Sequence, residues 1–476
     1  MTMTAKLFTL FLPCLLAGCV SLDPHYVRPA DAVNAVTPTG DAYRNLERKT
    51  VNYRDIGWQD YVLDSQLRQV VGMALDSSRD LREAVASVES AHAQYAEQRA
   101  DLFPAVNAGV SGTRSRALTG EGNQTALGNS YSAEGSVSAF ELDLFGKNQS
   151  LSRQQYETYL GTLEGARSTR LTVLYNTINY WLQLAADRSN LAIAKETAEN
   201  ARQSLEVTRK RMQNGVDSMV DVASAETTYQ SAQADVASYT TLVEQDKNAL
   251  DVVVGKTVPD RLLPQNLESI GQALRDVPAG IASDVLNNRP DVLQAEHNLK
   301  AANANIGAAR ANFFPSISLT ASGGVGSADL SSLFRNGVGI WSFSPSITLP
   351  IFKGGYNVAY LNYTKAQKAY YVAAYEKSVQ TAFQEVADAL ARRGTLKDQL
   401  SSQRNNVAAS QTYAQLADRR YQGGVDTWLN ALTAQRTLYS ARTSLVSVEQ
   451  AYYQNLNTFY KVMGGGSALK ESELKL

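Results

Sequence analysis

Acidic and basic side chains recur together at two places in this chain. Residues 211–218 read Arg-Met-Gln-Asn-Gly-Val-Asp-Ser, and residues 420–427 read Arg-Tyr-Gln-Gly-Gly-Val-Asp-Thr. Asp217 and Asp221 follow the glycine of the first segment, and Asp426 follows the glycines of the second. Repeated around a ring of identical chains, these carboxylates would focus the electric field at a narrow opening and favour cations. In such a ring, the chemistry available to these residues would be electrostatic selection of ions.

A structural role fits the same carboxylates. Ser218 and Asp221 have the spacing of a capping box, and Asp217 and Asp426 could complement the dipole at a helix start. Basic residues crowd the ends of the preceding helices, where they complement the dipole and could also close the tip by salt bridges to Asp217 or Asp426. They are Arg209, Lys210, Arg211, Arg419 and Arg420. The sequence leaves capping and gating open.

A glycine–valine pair lies at the centre of each repeated segment, as Gly215-Val216 and Gly424-Val425. Glycine allows another backbone to approach closely, so both pairs are predicted contacts for a partner protein, with the grooves between paired helices beside them. Glycine also permits a tight turn, and that second interpretation requires no partner.

Other function classes lack the residues that they require. The chain has no Gly-x-Ser-x-Gly or His-Glu-x-x-His pattern, and the glycine-rich residues 323–326 lie in a predicted strand with no helix directly after it. The three histidines, His25, His92 and His297, have no metal-ligand spacing. The net charge of −1 provides no excess of basic residues with which to bind nucleic acid. We therefore predict no enzyme, no metal site and no nucleic-acid partner.

The first residues have the features of a processing segment. A short apolar run ends in residues 16–19, Leu-Ala-Gly-Cys, which resemble a bacterial lipobox. We predict a lipoprotein signal peptide over residues 1–18, acylation of Cys19, with palmitate among the acyl groups, and an extended acylated arm over 19–62. The alternative is an ordinary signal peptide with a chance cysteine. Cys14 leaves with the signal, so no disulfide is predicted and the covalent lipid is the only cofactor.

The sequence consists of two similar halves. Residues 103–104, Phe-Pro, return as residues 314–315, and the repeated turns lie 209 residues apart. A repeat of this length is a duplicated half-molecule. Proline-free residues 147–212 and 356–421 would each form a helix about 100 Å long, typical of coiled-coil packing. We predict helices within residues 63–102, 147–254, 290–313 and 355–464, and β-hairpins in residues 103–146 and 314–354. Residues 255–289 are the predicted linker between the halves, and residues 465–476 are the predicted tail.

Apolar and small polar residues alternate in the two predicted hairpins. The pattern is clearest where Ile317, Leu319 and Ala321 alternate with serine and threonine, which matches strands of a membrane barrel; a soluble hairpin is the alternative. Beyond the signal, no run reaches the roughly 18 apolar residues of a membrane helix. Two hairpins supply only four strands, and an open edge is intolerable in lipid. Several chains must therefore share one barrel, from which the helices project as a tube.

Aromatic residues occur beside the predicted strands and along the second long helix. The first group could form a girdle at the membrane interface, although core packing explains Phe352 equally well. Its members are Tyr131, Phe140, Trp341, Phe343 and Phe352. The second group, the tyrosines at 360, 363, 370, 371 and 375, is predicted to pack in the coiled coil rather than to form a ligand site.

Several stretches of the chain resemble the outer membrane factors, the TolC-like family. They are residues 16–19, 140–146, 288–291, 301–320, 350–352 and 424–425. The match extends over nearly the whole chain and is to the lipidated branch, which serves tripartite efflux systems of the resistance-nodulation-division type. The resemblance implies a homotrimer in the Gram-negative outer membrane, where a twelve-stranded barrel continues into an α-helical coiled-coil tunnel in the periplasm. It also implies contacts with outer-membrane lipid, a periplasmic adaptor protein and an inner-membrane efflux pump.

The resemblance places the tunnel mouth at the two repeated turns. Tyr421 matches the family's tip tyrosine and Gly424 its turn glycine, whereas the family's two gate aspartates fall on Asn430 and Thr433. An anionic ring built from those two positions is therefore absent here. The predicted gate and tip residues are Asp217, Asp221, Arg420, Tyr421, Asp426, Asn430 and Thr433.

The function that the resemblance implies is a passive exit duct for drugs or other small toxic compounds. Export of metal ions and type I protein secretion stay open as alternatives, because cargo choice lies mostly in the inner-membrane pump. A structural coiled-coil surface lipoprotein is a further alternative. It would explain Cys19 and the long helices, but not two hairpins at equivalent points of two copies.

Overall fold

The computed structural model describes residues 21–29, 39–43, 53–118, 125–278 and 288–467. The predicted signal peptide, Cys19, part of the linker and most of the tail lie outside these residues. In chain order, the helices and strands are α1 (Trp58–Tyr61), α2 (Ser65–Ser77), α3 (Arg79–Ala100), β1 (Val106–Leu118), β2 (Thr125–Leu142), α4 (Lys147–Gln213), α5 (Met219–Val254), α6 (Leu267–Ile270), α7 (Pro290–Ala311), β3 (Ser316–Ser327), β4 (Val338–Thr348), α8 (Tyr356–Gln422) and α9 (Trp428–Val462).

The order of the elements shows the internal duplication. A helix, two antiparallel strands, a helix of 67 residues and a returning helix occur as α3 to α5 and again as α7 to α9. Neither 67-residue helix contains proline, so no residue removes a donor from its hydrogen-bond ladder. The chain is thus mainly helical, with two hairpins at equivalent points of the two halves.

The four strands form one antiparallel sheet in the order β1-β2-β3-β4. The register pairs Val106 with Val137 and Ser316 with Thr348. The ladder between β2 and β3 shifts between Val137 and Phe140, as at a β-bulge. β1 and β4 are the two edges of this sheet.

The helix predicted over 63–102 is divided in the structure. Asp64 caps α2, since its carboxylate accepts a hydrogen bond from a backbone amide of the first turn at 2.7 Å. Ser78 is extended between α2 and α3, and the backbone here packs on Gly255, which ends α5 in a left-handed conformation with a φ of 80°. A Cβ at Gly255 would collide with the carbonyl of Ser77. The break between the helices is therefore shaped by this close backbone approach.

Part of the segment predicted as an extended arm is buried. Residues 21–29 are extended, but residues 53–61 form short helical turns whose tyrosines lie in the core. Tyr61 stacks on Tyr460 with ring centroids 4.0 Å apart, and Tyr53 is also buried. Burial of an aromatic ring contributes about 1.5–3 kcal/mol, which ties this end of the arm to the fold.

The described residues divide into two compact units. One contains the four strands and the helical residues beside them, with the amino-terminal segment; the other contains the two repeated turns and the aromatic core. The first lies within residues 1–30, 88–162 and 295–375, and the second within 31–87, 163–294 and 376–476. In the part of the chain that the structure describes, no helix has an apolar stretch long enough to span a lipid bilayer.

The predicted linker contributes to the core of the second unit. Trp181, in the middle of α4, is buried, and its Nε1 donates a hydrogen bond to the carbonyl of Leu262 at 3.0 Å. Leu267 and Leu274 are buried as well. The described part of the linker therefore packs against α4 near its mid-length.

Candidate functional site

The two repeated segments fold into turns of the same geometry. In each, the valine amide, of Val216 or Val425, donates to the carbonyl of the arginine five residues earlier at 2.9 Å. Gly215 and Gly424 have φ values of +76° and +72°, a region in which other residues are strained. The turn therefore accounts for both glycines. Val216 is 63% exposed and Val425 is 68% exposed, so both side chains are accessible to a partner.

Asp221 completes a capping box at the start of α5. Its amide donates to the Ser218 hydroxyl, and its carboxylate accepts from the Ser218 amide at 2.9 Å. The hydrogen bonds from the Ser218 hydroxyl and then the Ser218 amide lower the pKa of Asp221. Asp221 thus has the structural role that its spacing indicates.

Asp217 connects the two turns. Its carboxylate accepts a hydrogen bond from Arg211 Nε at 3.0 Å, within its own turn, and one from the Tyr421 hydroxyl at 2.7 Å, from the other. The Arg211 guanidinium also lies 4.6 Å from the centre of the Tyr421 ring, a cation–π arrangement. Only 9% of the Asp217 side chain is exposed, so water competes weakly for these bonds.

Tyr421 is held in a small apolar cluster. Its ring lies 5.4 Å from that of Trp428, and its hydroxyl is 3.1 Å from the hydroxyl of Thr208. Burial, the largest cause, raises the pKa of Tyr421, so its hydroxyl stays protonated and can donate to a carboxylate. The buried members of the cluster are Leu205, Val222, Ala225, Tyr421, Trp428, Ala431 and Leu432.

Asp426 makes its hydrogen bonds within its own turn and does not connect the two turns. Its carboxylate accepts from Asn430 Nδ2 at 3.0 Å, from the Thr427 amide at 2.9 Å and from Arg420 Nε at 3.1 Å. These hydrogen bonds, that of Asn430 foremost, lower the pKa of Asp426. The Thr433 hydroxyl donates a hydrogen bond to a carbonyl of its own helix, α9.

The predicted tip residues therefore have different surroundings. Asp217 and Tyr421 meet, whereas Asp221, Asp426 and Thr433 make their hydrogen bonds within their own turn or helix. The prediction did not include Thr208 and Trp428 among the site residues. A signal for Trp428 was present, because a tryptophan at a helix start after a polar turn is unusual for an exposed tip.

A groove of about 360 Å³ lies beside Tyr421. Its walls come from α4, α8 and α9 and are mostly polar, with Asn200, Gln203, Gln411, Gln415, Gln422 and Gln435 among the lining residues. Side chains of this kind can exchange hydrogen bonds with another helix. Across the described ranges, no three histidine, cysteine or acidic side chains are placed to hold a metal ion.

Comparison with known proteins identifies the family. The family model described as outer membrane efflux protein matches residues 70–256 and 281–465, one match in each half of the chain. The chain belongs to this family. Its relatives include the probable efflux pump outer membrane protein TtgC of Pseudomonas putida, to which this efflux protein is 43% identical over 466 residues, 98% of this chain and 96% of TtgC. The cation efflux system protein CusC of Escherichia coli is 37% identical over 463 residues, 97% of this chain and 99% of CusC.

Solved structures resemble the efflux protein over nearly its whole length. The open state of the Neisseria gonorrhoeae MtrE outer membrane channel has a TM-score of 0.83 at 34% identity, covering 94% of this chain and 99% of MtrE. A structure of CusC has a TM-score of 0.83 at 36% identity, covering 94% of this chain and all of CusC. The predicted fold class, family and function as an outer-membrane efflux channel are confirmed. Acylation of Cys19 and the roles of the tip residues stay predictions.

Proposed function

We propose that three copies of this efflux protein form one duct, which receives small toxic organic compounds from an inner-membrane pump through a periplasmic adaptor. The observation that carries the proposal is the incomplete sheet. Within the described residues, β1 pairs only with β2, and β4 pairs only with β3. One side of each edge strand is left for another chain.

The number of copies follows from the number of strands. An unpaired backbone amide or carbonyl costs several kcal/mol in lipid, so β4 of one copy has to pair with β1 of the next. Two copies would give eight strands, a barrel whose interior is filled by side chains. Three copies give twelve strands and leave room for a lumen.

The edge strands carry the apolar surface that lipid requires. On β1, Val106 and Val110 are 76% and 68% exposed; on β4, Trp341, Phe343 and Ile347 are 82%, 59% and 70% exposed. On each strand these residues are separated by even numbers and so share one face. Serines at the intervening positions of β4 give the opposite face the polarity of an aqueous lumen.

We propose that the bonds around Tyr421 hold the periplasmic mouth closed. Asp217 ties the turn after α4 to the end of α8, so separating the two helical hairpins requires breaking the hydrogen bond between Asp217 and Tyr421. The exposed pairs Gly215-Val216 and Gly424-Val425, with the polar groove beside Tyr421, are the proposed contacts of the adaptor.

The substrate class is proposed from the names of relatives. One protein 43% identical is named a toluene efflux pump component, another an antibiotic efflux pump component, and one 41% identical a solvent efflux pump component. CusC, named for cation efflux, makes metal cations the second candidate. Deleting the gene should increase sensitivity to toluene and hydrophobic antibiotics. Increased sensitivity to transition-metal salts alone would favour the second candidate.

We also propose that Cys19 carries a covalent lipid, as its lipobox indicates. Metabolic labelling with palmitate should mark the wild-type protein but not a Cys19→Ala variant. Labelling of neither protein would leave an ordinary signal peptide as the explanation. The proposal of the duct does not depend on this modification.

The trimer is tested with the purified protein. Native mass spectrometry and single-channel recording in planar bilayers should show a mass of three chains and a conducting pore. A monomer that conducts nothing would refute the proposal. Reconstitution with the adaptor tests the second part: replacing Val216 and Val425 with aspartate should abolish adaptor binding and leave the trimer mass unchanged.

A further inference from the structure

We propose that Asn214 is a site of spontaneous deamidation, and that the turn which contains it controls the rate of the reaction. The product is an aspartate or isoaspartate at this position in each copy. The inference rests on the proposed closure of the periplasmic mouth by Asp217 and Tyr421. It assigns a covalent change to the turn in which Asp217 lies.

The sequence of this turn favours the reaction. Asparagine deamidates readily when glycine follows it, because glycine has no side chain to hinder attack by its own backbone nitrogen. The chain contains Asn-Gly-Val twice, at residues 214–216 and 336–338. In the second turn of the repeat, glycine occupies position 423, which corresponds to Asn214. Only the first of the two turns can therefore react in this way.

The reaction needs no reagent other than water. The Gly215 backbone nitrogen loses its proton and bonds to Asn214 Cγ, and the side-chain nitrogen leaves as ammonia. Water then opens the cyclic imide at either carbonyl, which gives aspartate or isoaspartate. The overall change consumes water, releases ammonia and involves no oxidation or reduction. Its product adds a negative charge to the turn of each copy.

The reacting residues are accessible to solvent. Asn214 and Gly215 are both exposed. A Cβ placed on Gly215 would meet no atom within 4 Å apart from its chain neighbours. The surroundings of the turn therefore leave room for the cyclic imide and for the water that opens it.

The closed turn nevertheless holds both reacting groups. The Gly215 amide donates to the Met212 carbonyl at 2.9 Å, and Asn214 Nδ2 donates to the Lys210 carbonyl at 2.8 Å. The attacking nitrogen reaches Cγ only after these hydrogen bonds break. Local opening of a turn requires less free energy than unfolding of the whole chain. The rate of deamidation should therefore follow the fraction of time for which the turn is open.

The same turn contributes to the proposed closure of the mouth. The Asp217 carboxylate accepts the hydrogen bond of the Tyr421 hydroxyl at 2.7 Å, and the Val216 amide donates to the Arg211 carbonyl at 2.9 Å. Isoaspartate moves a side-chain carbon into the main chain, so the second of these bonds cannot keep its geometry. A modified turn holds Asp217 less firmly, and the mouth of the aged protein should open more often.

Peptide mapping by mass spectrometry tests the inference. Wild type, Tyr421→Phe and Tyr439→Phe are incubated under mildly alkaline conditions, as native trimers and in denaturant. Asn336 is the matched internal reference, because it precedes the same two residues but lies between β3 and β4. In the denatured chain, Asn214 and Asn336 should react at similar rates. In the native trimer, Asn214 should react more slowly than in the denatured chain.

The variants connect the rate to the mouth. Tyr421→Phe should raise the native rate of Asn214 roughly fivefold or more, because the turn is open for a larger fraction of the time. Tyr439→Phe should leave that rate unchanged, and Asn336 should react equally in all three native proteins. In bilayer recordings, the open probability of the wild type should increase during the incubation. That of Asn214→Gly, which cannot react, should stay constant.

The outcomes separate this inference from the proposed closure. The inference is refuted if Asn214 stays intact in the native proteins while the denatured chain reacts, or if its native rate is equal in the wild type and Tyr421→Phe. In either case the closure stands when fresh Tyr421→Phe still has the higher open probability. If Tyr421→Phe changes neither the rate nor the open probability, both proposals fail.

Discussion

The Tyr421 hydroxyl donates a hydrogen bond to the Asp217 carboxylate at 2.7 Å, although the two residues are 204 positions apart in the chain. The bond joins the end of α8 to the turn that follows α4. Asp217 also accepts from Arg211, whose guanidinium lies over the Tyr421 ring. Each of these three side chains thus holds the other two, and the connection between the two turns depends on them.

Tyr421→Phe removes only the hydroxyl and should favour the open mouth. A hydrogen bond to a charged acceptor contributes about 1.5–3 kcal/mol, and a loss of about 1–2 kcal/mol shifts an equilibrium roughly 5- to 30-fold. We expect a higher open probability in single-channel recordings, with the trimer mass unchanged.

Tyr439→Phe is the matched control for this change. The Tyr439 hydroxyl donates to Asp235 at 3.0 Å, also across 204 positions, but between α9 and α5 and away from the turns. Its removal should leave the open probability at the wild-type value. An equal increase in both variants would show that closure is not concentrated at the tip.

Arg211→Gln and Arg420→Gln should differ in effect, although the two arginines occupy equivalent positions of the repeat. The Arg211 side chain is 22% exposed and its partner Asp217 reaches the other turn, whereas Arg420 is 58% exposed and pairs within its own turn. An exposed pair contributes about 0–1 kcal/mol. We expect Arg211→Gln to raise the open probability several-fold more than Arg420→Gln; the reverse order in bilayer recordings would contradict the assignment.

Asn430→Asp should place an acidic residue where the family resemblance predicts a gate aspartate. Asn430 Nδ2 now donates to both carboxylate oxygens of Asp426, at 3.0 and 3.1 Å. An aspartate would set two carboxylates side by side in each copy, and three copies would concentrate negative charge at the mouth. Block by a trivalent cation such as hexamminecobalt should then need a roughly tenfold lower concentration. Asn430→Ala, which loses the bond without adding charge, should show no such gain.

The long helices, the turns and the hairpins could be predicted because their signals are local. Proline-free runs extend α4 and α8, and a left-handed glycine marks each turn. The difference between Asp217 and Asp426 could not be predicted in this way. The two aspartates are equivalent in the repeat, but the residue equivalent to Tyr421 in the first copy is Met212, so only one of the two possible cross-links exists.

The break at Ser78 and the burial of Tyr53 could not be predicted from local sequence for a related reason. Both depend on distant partners, Gly255 in one case and the core around Phe459 in the other. A helical period continues through Ser78, and the prolines at 24, 29 and 38 favour an extended arm, so local patterns indicate the opposite of the tertiary outcome.

An acidic pair between α4 and α5 gives a stability that depends on pH. Asp187 is buried, and Asp246 Oδ2 is buried without a hydrogen-bond donor among the described residues. Burial, and then the hydrogen bond and charge of Asp187, raise the pKa of Asp246 from 3.8 to about 7. Gln183 also donates a hydrogen bond to the Asp187 carboxylate at 2.8 Å, and Tyr239 lies close enough to interact with its charge.

The sign of the effect follows from the raised pKa. The folded chain holds a proton on Asp246 that the unfolded chain releases near pH 4, so the pair's contribution is complete below that pH and is lost as pH rises to about 7. In Asp246→Asn, the side-chain amide can still donate a hydrogen bond to Asp187, but it carries no charge at any pH. Thermal unfolding followed by circular dichroism should show a melting temperature for the wild type that falls between pH 4 and pH 8, and a smaller fall in the variant, which should be the more stable of the two at pH 8. Parallel curves for both proteins would mean that Asp246 is ionised throughout and that the two carboxylates share no proton.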